Sequence, residues 1–212
     1  MMRIPSGPSF ASAALCASLA TGPVLAQPAG PEDWPCIQVL VPDVVPATVW
    51  PRPLEPELEA SWSDDAEVLA LAERLGAIDA LGDDEVAAIR ELADDTPAEA
   101  LAGRLDALVV GTVQNTNRRR SRYIDGIRRY TRQQIAIAEQ IEATLNELAR
   151  LGQGSQPGQV GERSEVQETL AWHERLYDQR ERAIRALCEQ PVVLEENLYT
   201  VMRELQMRLP GS

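Results

Sequence analysis

Residues 124–151 read IDGIRRYTRQQIAIAEQIEATLNELARL, and residues 166–188 read VQETLAWHERLYDQRERAIRALC. In the first stretch Ile124, Ile127, Thr131, Gln134, Ala138, Ile141, Leu145 and Leu148 recur by threes and fours. In the second, Val166, Leu170, His173, Tyr177, Arg180, Ile184 and Leu187 do the same. This alternation is the heptad period of a left-handed coiled coil. Between the two lies Gly152-Gln153-Gly154-Ser155-Gln156-Pro157-Gly158, which is turn chemistry. So short a connection makes the two helices antiparallel. With the turn centred near Pro157, facing residue numbers sum to about 314. Leu148 then faces Val166, Leu145 the Thr169–Leu170 turn, Ile141 His173, Ala138 Tyr177, Thr131 Ile184 and Ile127 Leu187. The same sum sets Gln134 against Arg180, polar against polar. A buried polar layer commonly sets register at a cost in stability.

Working outward, the spacing predicts an all-α fold: a hairpin of about 112–151 and 163–189, packed with shorter N- and C-terminal helices. Pro191 is expected to open a separate last helix over about 191–209, with Leu194, Leu198, Val201 and Leu205 on one stripe. Upstream, Ser63, Asp64, Asp65 and Glu67 form an acidic helix start before the stripe Val68, Leu71, Ala72 and Leu75. Asp83 begins a helix carrying Val86, Ile89, Leu92 and Ala93. Thr96-Pro97-Ala98-Glu99 has the capping-box arrangement, with proline at the first helical position. No proline interrupts residues 98–156. Gly103, Gly111 and Gly126 weaken that run by about 1 kcal/mol each relative to alanine, and Gly111 is the expected weak point. The helical domain therefore covers 61–212. Residues 27–60 hold eight prolines between apolar residues, and predict an extended arm lying along the helices with Trp34 and Trp50 buried.

Residues 1–26 read as an address. Arg3 precedes a short apolar run from Phe10 to Leu25, and Val24-Leu25-Ala26 supplies a cleavage motif before Gln27. Gly22 and Pro23 break the run too early for a membrane span. The expectation is a signal peptide cleaved after Ala26 and a periplasmic or secreted protein. Cys36 and Cys188 are the two cysteines left after cleavage. In an oxidising compartment they are expected to pair, stapling the arm to the helical body.

Composition excludes several functions. The formal net charge is −13 and there is one histidine, His173. The first argues against a nucleic-acid partner, and the second against a multi-histidine metal site. No phosphate-binding loop, nucleophile elbow or zinc-protease motif occurs, so neither a catalytic residue nor a cofactor is expected. Acidic pairs such as Asp83-Asp84 sit at helix starts, where capping accounts for them.

Charge is segregated. Residues 55–106 are strongly acidic, whereas 118–132 contain Arg118, Arg119, Arg120, Arg122, Arg128, Arg129 and Arg132 against one acid, Asp125. The bland interpretation is a solvated or internally paired face. The sharper one is a contact surface, with Tyr123 and Tyr130 interleaved, for an acidic protein partner in the cell envelope or for an anionic lipid or glycan. The sequence thus points to a non-enzymatic binding, adaptor or assembly-accessory protein. Rival roles are a redox or metal accessory using Cys36, Cys188 and His173, and a self-assembling structural protein or homo-oligomer.

Overall fold

The computed structural model describes residues 31–152 and 158–211. The expected leader with its cleavage site after Ala26, and most of the expected turn, lie outside these residues. The described residues are all-helical: α1 (Pro46–Val49), α2 (Leu58–Ser61), a single 3-10 turn (Trp62–Asp64), α3 (Ala66–Ala77), α4 (Asp83–Asp94), α5 (Ala98–Gly152) and α6 (Gln159–Gln206). Helix α5 has 55 residues and α6 has 48, giving rods about 80 Å and about 70 Å long.

Helix starts follow local chemistry, with two shifts from expectation. Asp65 caps α3, its carboxylate accepting the amides of Glu67 and Val68. At α4, Gly82 occupies the cap and Glu85 reaches back to accept its amide at 3.1 Å. Thr96 does not cap α5 in the expected way. Its hydroxyl donates to the Leu92 carbonyl at 2.5 Å and accepts from Arg104 at 2.7 Å. It thereby ties the end of α4 to the start of α5.

One core joins the short helices to the long pair. Val68, Leu71, Ala72 and Leu75 of α3 and Ile89 and Leu92 of α4 pack with Leu105, Leu108, Val109 and Val113 of α5. Leu198, Val201, Met202 and Leu205 of α6 complete it, with Trp50 and Trp62 entering from the N-terminal segments. Gly111 is no weak point: α5 runs straight through it. A Cβ at Gly111 would overlap the Trp62 ring, and one at Gly76 would overlap Asn115. Both glycines permit close approach.

Helix α6 also corrects an expectation. Pro191 lies inside it, so 163–189 and 191–209 are not two helices. Proline in a helix interior costs about 3 kcal/mol. Here Pro191 is buried on the stripe that runs from Leu187 to Leu194 and Leu198. The partner helix supplies packing on both sides of the defect, and that packing outweighs the local preference.

The hairpin is antiparallel with Gln134 against Arg180 as expected, but Ala138 and Leu145 do not take the seam positions expected of them. Arg180 Nε donates to Gln134 Oε1 at 3.2 Å, and Gln134 Nε2 donates to the Tyr177 carbonyl at 2.9 Å. Arg180 also stacks over the Tyr130 ring at 3.9 Å from its centroid, while the Tyr130 hydroxyl donates to the Arg180 carbonyl at 3.0 Å. Past this layer the buried stripe of α5 departs from the even pattern. Ile137 and Thr144 are half-buried, whereas Ala138 and Leu145 face out. A three-residue step from Gln134 to Ile137 rotates the helix relative to a strict heptad.

Candidate functional site

The arm is extended except for the single helical turns α1 and α2, which the expectation of a wholly extended segment did not include, and it is held by a ladder of polar side chains along α5. Trp50 donates to Asp106 at 2.7 Å, and Arg52 pairs with the same carboxylate at 3.3 Å. Asn117 clamps Val44, accepting its amide and donating to its carbonyl, both at 2.9 Å. Arg120 donates to the carbonyls of Pro42 at 2.9 Å and Val41 at 3.0 Å, and pairs with Glu195 of α6 at 2.5 Å. Asp33 receives Arg128 at 3.0 Å and Arg132 at 2.6 Å. The Arg128 hydrogen bond, reinforced by Arg132, holds the Asp33 carboxyl below its ordinary range against the opposing effect of desolvation. The Cys36–Cys188 disulfide fastens the arm to α6 between these contacts, with a Cα–Cα distance of 5.5 Å. Trp50 is buried, while Trp34 is half-buried and donates to the Gln38 carbonyl at 2.8 Å. A Cβ at Gly126 would meet open space.

These contacts divide the basic stretch. Arg120 is 3% exposed, and both of its terminal nitrogens are engaged within the chain. Arg128 and Arg132 hold Asp33. Arg119 donates to the carbonyls of Ala77 and Ile78 and pairs with Asp79, closing the C-terminus of α3, where cations are favoured. Tyr130 is committed to Arg180. Tyr123 is half-buried beside Arg119. What remains outward is Arg118, Arg122 and Arg129, all exposed. Their spacing of four and seven places them on one face of α5. Arg118 rims two shallow grooves. One, of about 310 Å³, is lined by Glu73, Gly76, Ala77, Asn115, Arg119 and Arg122 as well. The other, of about 300 Å³, adds Asp43, Gln114, Asn117 and Ser121.

The chemistry open to this surface is recognition of anionic groups. Arginine forks suit carboxylates and phosphates, and shallow grooves admit a side chain more readily than they enclose a substrate. The sequence missed Asp33, Asp106, Asn117 and Glu195. Asp106, Asn117 and Arg120 do recur at helical spacing with the buried Val110 and Val113 between them. Polar residues on the inward face of a helix are the signal that pointed to an internal tether.

The redox and metal trio does not assemble. Cys36 and Cys188 are bonded to each other, and His173 lies fifteen residues from Cys188 along α6, about 22 Å away. His173 is half-buried, edge-on to Trp172 at 5.0 Å between ring centroids. Among the described residues no group of three or more His, Cys, Asp or Glu side chains is placed to hold a metal. Among the same residues no helix is long and apolar enough to cross a membrane. In comparison with known proteins the chain matches no family model, no curated protein and no solved structure.

Proposed function

We propose that this is an exported binding or assembly-accessory protein, without catalysis, that docks an acidic protein partner in the cell envelope on the face carrying Arg118, Arg122 and Arg129. The observation that carries this reading is the division of the basic stretch. Four arginines are consumed in holding the chain together. These three stay in solvent, on one face, in a molecule whose net charge is −13. Among the described residues none of the three makes an ion pair, and such cations clustered on an acidic protein focus a local positive field that steers an acidic partner. Export is supported by the leader-like sequence and by a disulfide that holds the fold, as oxidising compartments favour.

The test is crosslinking in the native envelope fraction, read by mass spectrometry, with Arg118→Glu/Arg122→Glu against the unaltered chain. The double variant should lose the crosslinked partner while its circular dichroism stays helical, since neither residue touches the core. An unchanged crosslink pattern would overturn the proposal. Vesicles containing anionic lipid form the control arm: binding there, lost in the double variant, would assign the surface to lipid headgroups instead.

A further inference from the structure

Two of the arginines engaged within the chain are held more loosely than the others. Arg119 and Arg120 each donate to main-chain carbonyls and pair with a carboxylate besides. Among the described residues Arg128 and Arg132 have one polar partner, the Asp33 carboxylate. Arg128 Nε donates to both its oxygens, at 3.0 and 3.1 Å, and Arg132 donates to Oδ2 at 2.6 Å. The two arginine side chains stay 39% and 57% exposed, against 3% for Arg120. An ion pair that open to solvent adds little stability.

Nor does the arm depend on this contact to stay in place. Cys36, three residues on, is bonded to Cys188, and Asn117, Arg120 and the buried Trp50 hold the rest. The other hydrogen bonds of residues 31–35 run within the arm, from the Trp34 amide to the Pro31 carbonyl and from its indole to the Gln38 carbonyl. What Asp33 does is fill a cradle. Two arginines one helical turn apart grip both oxygens of a single carboxylate, the charge-assisted geometry by which arginine recognises that group. The cradle also continues the outward face, because Arg132 is three residues from Arg129 and a surface neighbour on the helix. With Asp33 gone, Arg118, Arg122, Arg128, Arg129 and Arg132 line about 21 Å of α5, and Asp125 is the single acid in that stretch.

We propose that Asp33 is an autoinhibitory stand-in for a carboxylate of the acidic partner: it occupies the Arg128–Arg132 end of the docking face, and the partner displaces it on binding. This rests on the reading of that face given above. A tethered carboxylate competes at an effective concentration of about millimolar, so a lone acid does not evict it. A segment with several acidic residues does, because it grips Arg118, Arg122 and Arg129 at the same time. The arm thus selects for a multiply acidic partner, while the disulfide keeps the displaced end close by.

The test is fluorescence anisotropy of a dye-labelled hexaglutamate peptide on the oxidised full chain at about 20 mM salt, where screening is weak. Asp33→Asn should tighten binding by about fivefold or more. Glu32→Gln removes an equal charge from an exposed neighbour without emptying the cradle, and should change binding by less than about twofold. Arg128→Gln/Arg132→Gln added to Asp33→Asn should abolish the gain. In the unaltered chain, saturating peptide should return the Asp33 titration, followed by carboxyl carbon-13 NMR, to the ordinary range. Asp33→Asn binding no tighter than Glu32→Gln, a gain that survives loss of both arginines, or peptide binding that leaves the Asp33 titration unmoved would each overturn the proposal. Arg118→Glu/Arg122→Glu should weaken the peptide in every background. If that weakening persists while Asp33→Asn has no effect, the stand-in is refuted and the docking face is not.

Discussion

Gly111 and Gly126 look alike in sequence, both glycines inside one proline-free helix, and they behave oppositely in space. The ring of Trp62 occupies the place where a Cβ on Gly111 would go, and nothing lies near Gly126. Gly111→Ala should therefore destabilise by about 1–3 kcal/mol through overpacking. Gly126→Ala should stabilise by about 0.5–1 kcal/mol through helix propensity alone. Urea unfolding of the two variants checks both signs, and equal shifts would contradict the packing described. The same split divides the arginines. Periodicity places Arg118 and Arg120 two residues apart on one helix. Only the position of the arm makes Arg120 a buried clamp and leaves Arg118 in solvent. Spacing places Arg120 on the inward face with Val110 and Val113, but it does not say what meets it there, because the arm's carbonyls that Arg120 satisfies lie 78 and 79 residues away in the chain.

The extended arm behaves as a separately latched element. Its upstream end is held by Asp33 with Arg128 and Arg132 and by the disulfide, whereas Trp50 anchors its far end in the core. Closing so long a loop contributes about 5 kcal/mol by the chain-entropy estimate. The Asp33 latch adds a pH dependence. Its pKa lies below the ordinary carboxylate value of 3.8 in the folded chain. The stabilisation it gives is present above the unfolded pKa and is lost as pH falls through the folded one. After reduction of the disulfide, lowering the pH below about 4 should release residues 31–40 before the helices melt, while Arg120 and Asn117 still hold residues 41–44. Hydrogen exchange by mass spectrometry would register rapid labelling of that segment with α5 still protected. Simultaneous loss of arm and helix would contradict an independent latch. The elements themselves were largely legible: the α3 and α4 stripes, the long α5, and the Gln134–Arg180 layer all follow from spacing. Pro191 was misleading, since a local helix breaker says nothing of the partner helix that holds both sides of it.

At the scale of the whole molecule, a packed body continues into a two-helix projection, and burial falls off along it as far as Leu148, with Leu151 buried again at the end of α5. Local opening follows burial. In dilute protein, amides of α5 beyond about residue 140 and of α6 before about residue 172 should exchange faster than those near Leu108 or Leu198. Uniform protection along both helices would contradict that gradient. The body carries the outward arginines, and the exposed Trp172 lies on the projection. By itself the sequence determined the helical class, the antiparallel hairpin with its Gln134–Arg180 layer and the pairing of Cys36 with Cys188. These rest on residue spacing, turn chemistry and cysteine count, which are properties of the chain alone. Tertiary structure decided which arginines are free, which glycines are obligatory, and that a proline can sit within a helix. Each of those depends on an atom brought close by folding from a distant part of the chain, and no local pattern encodes that distance.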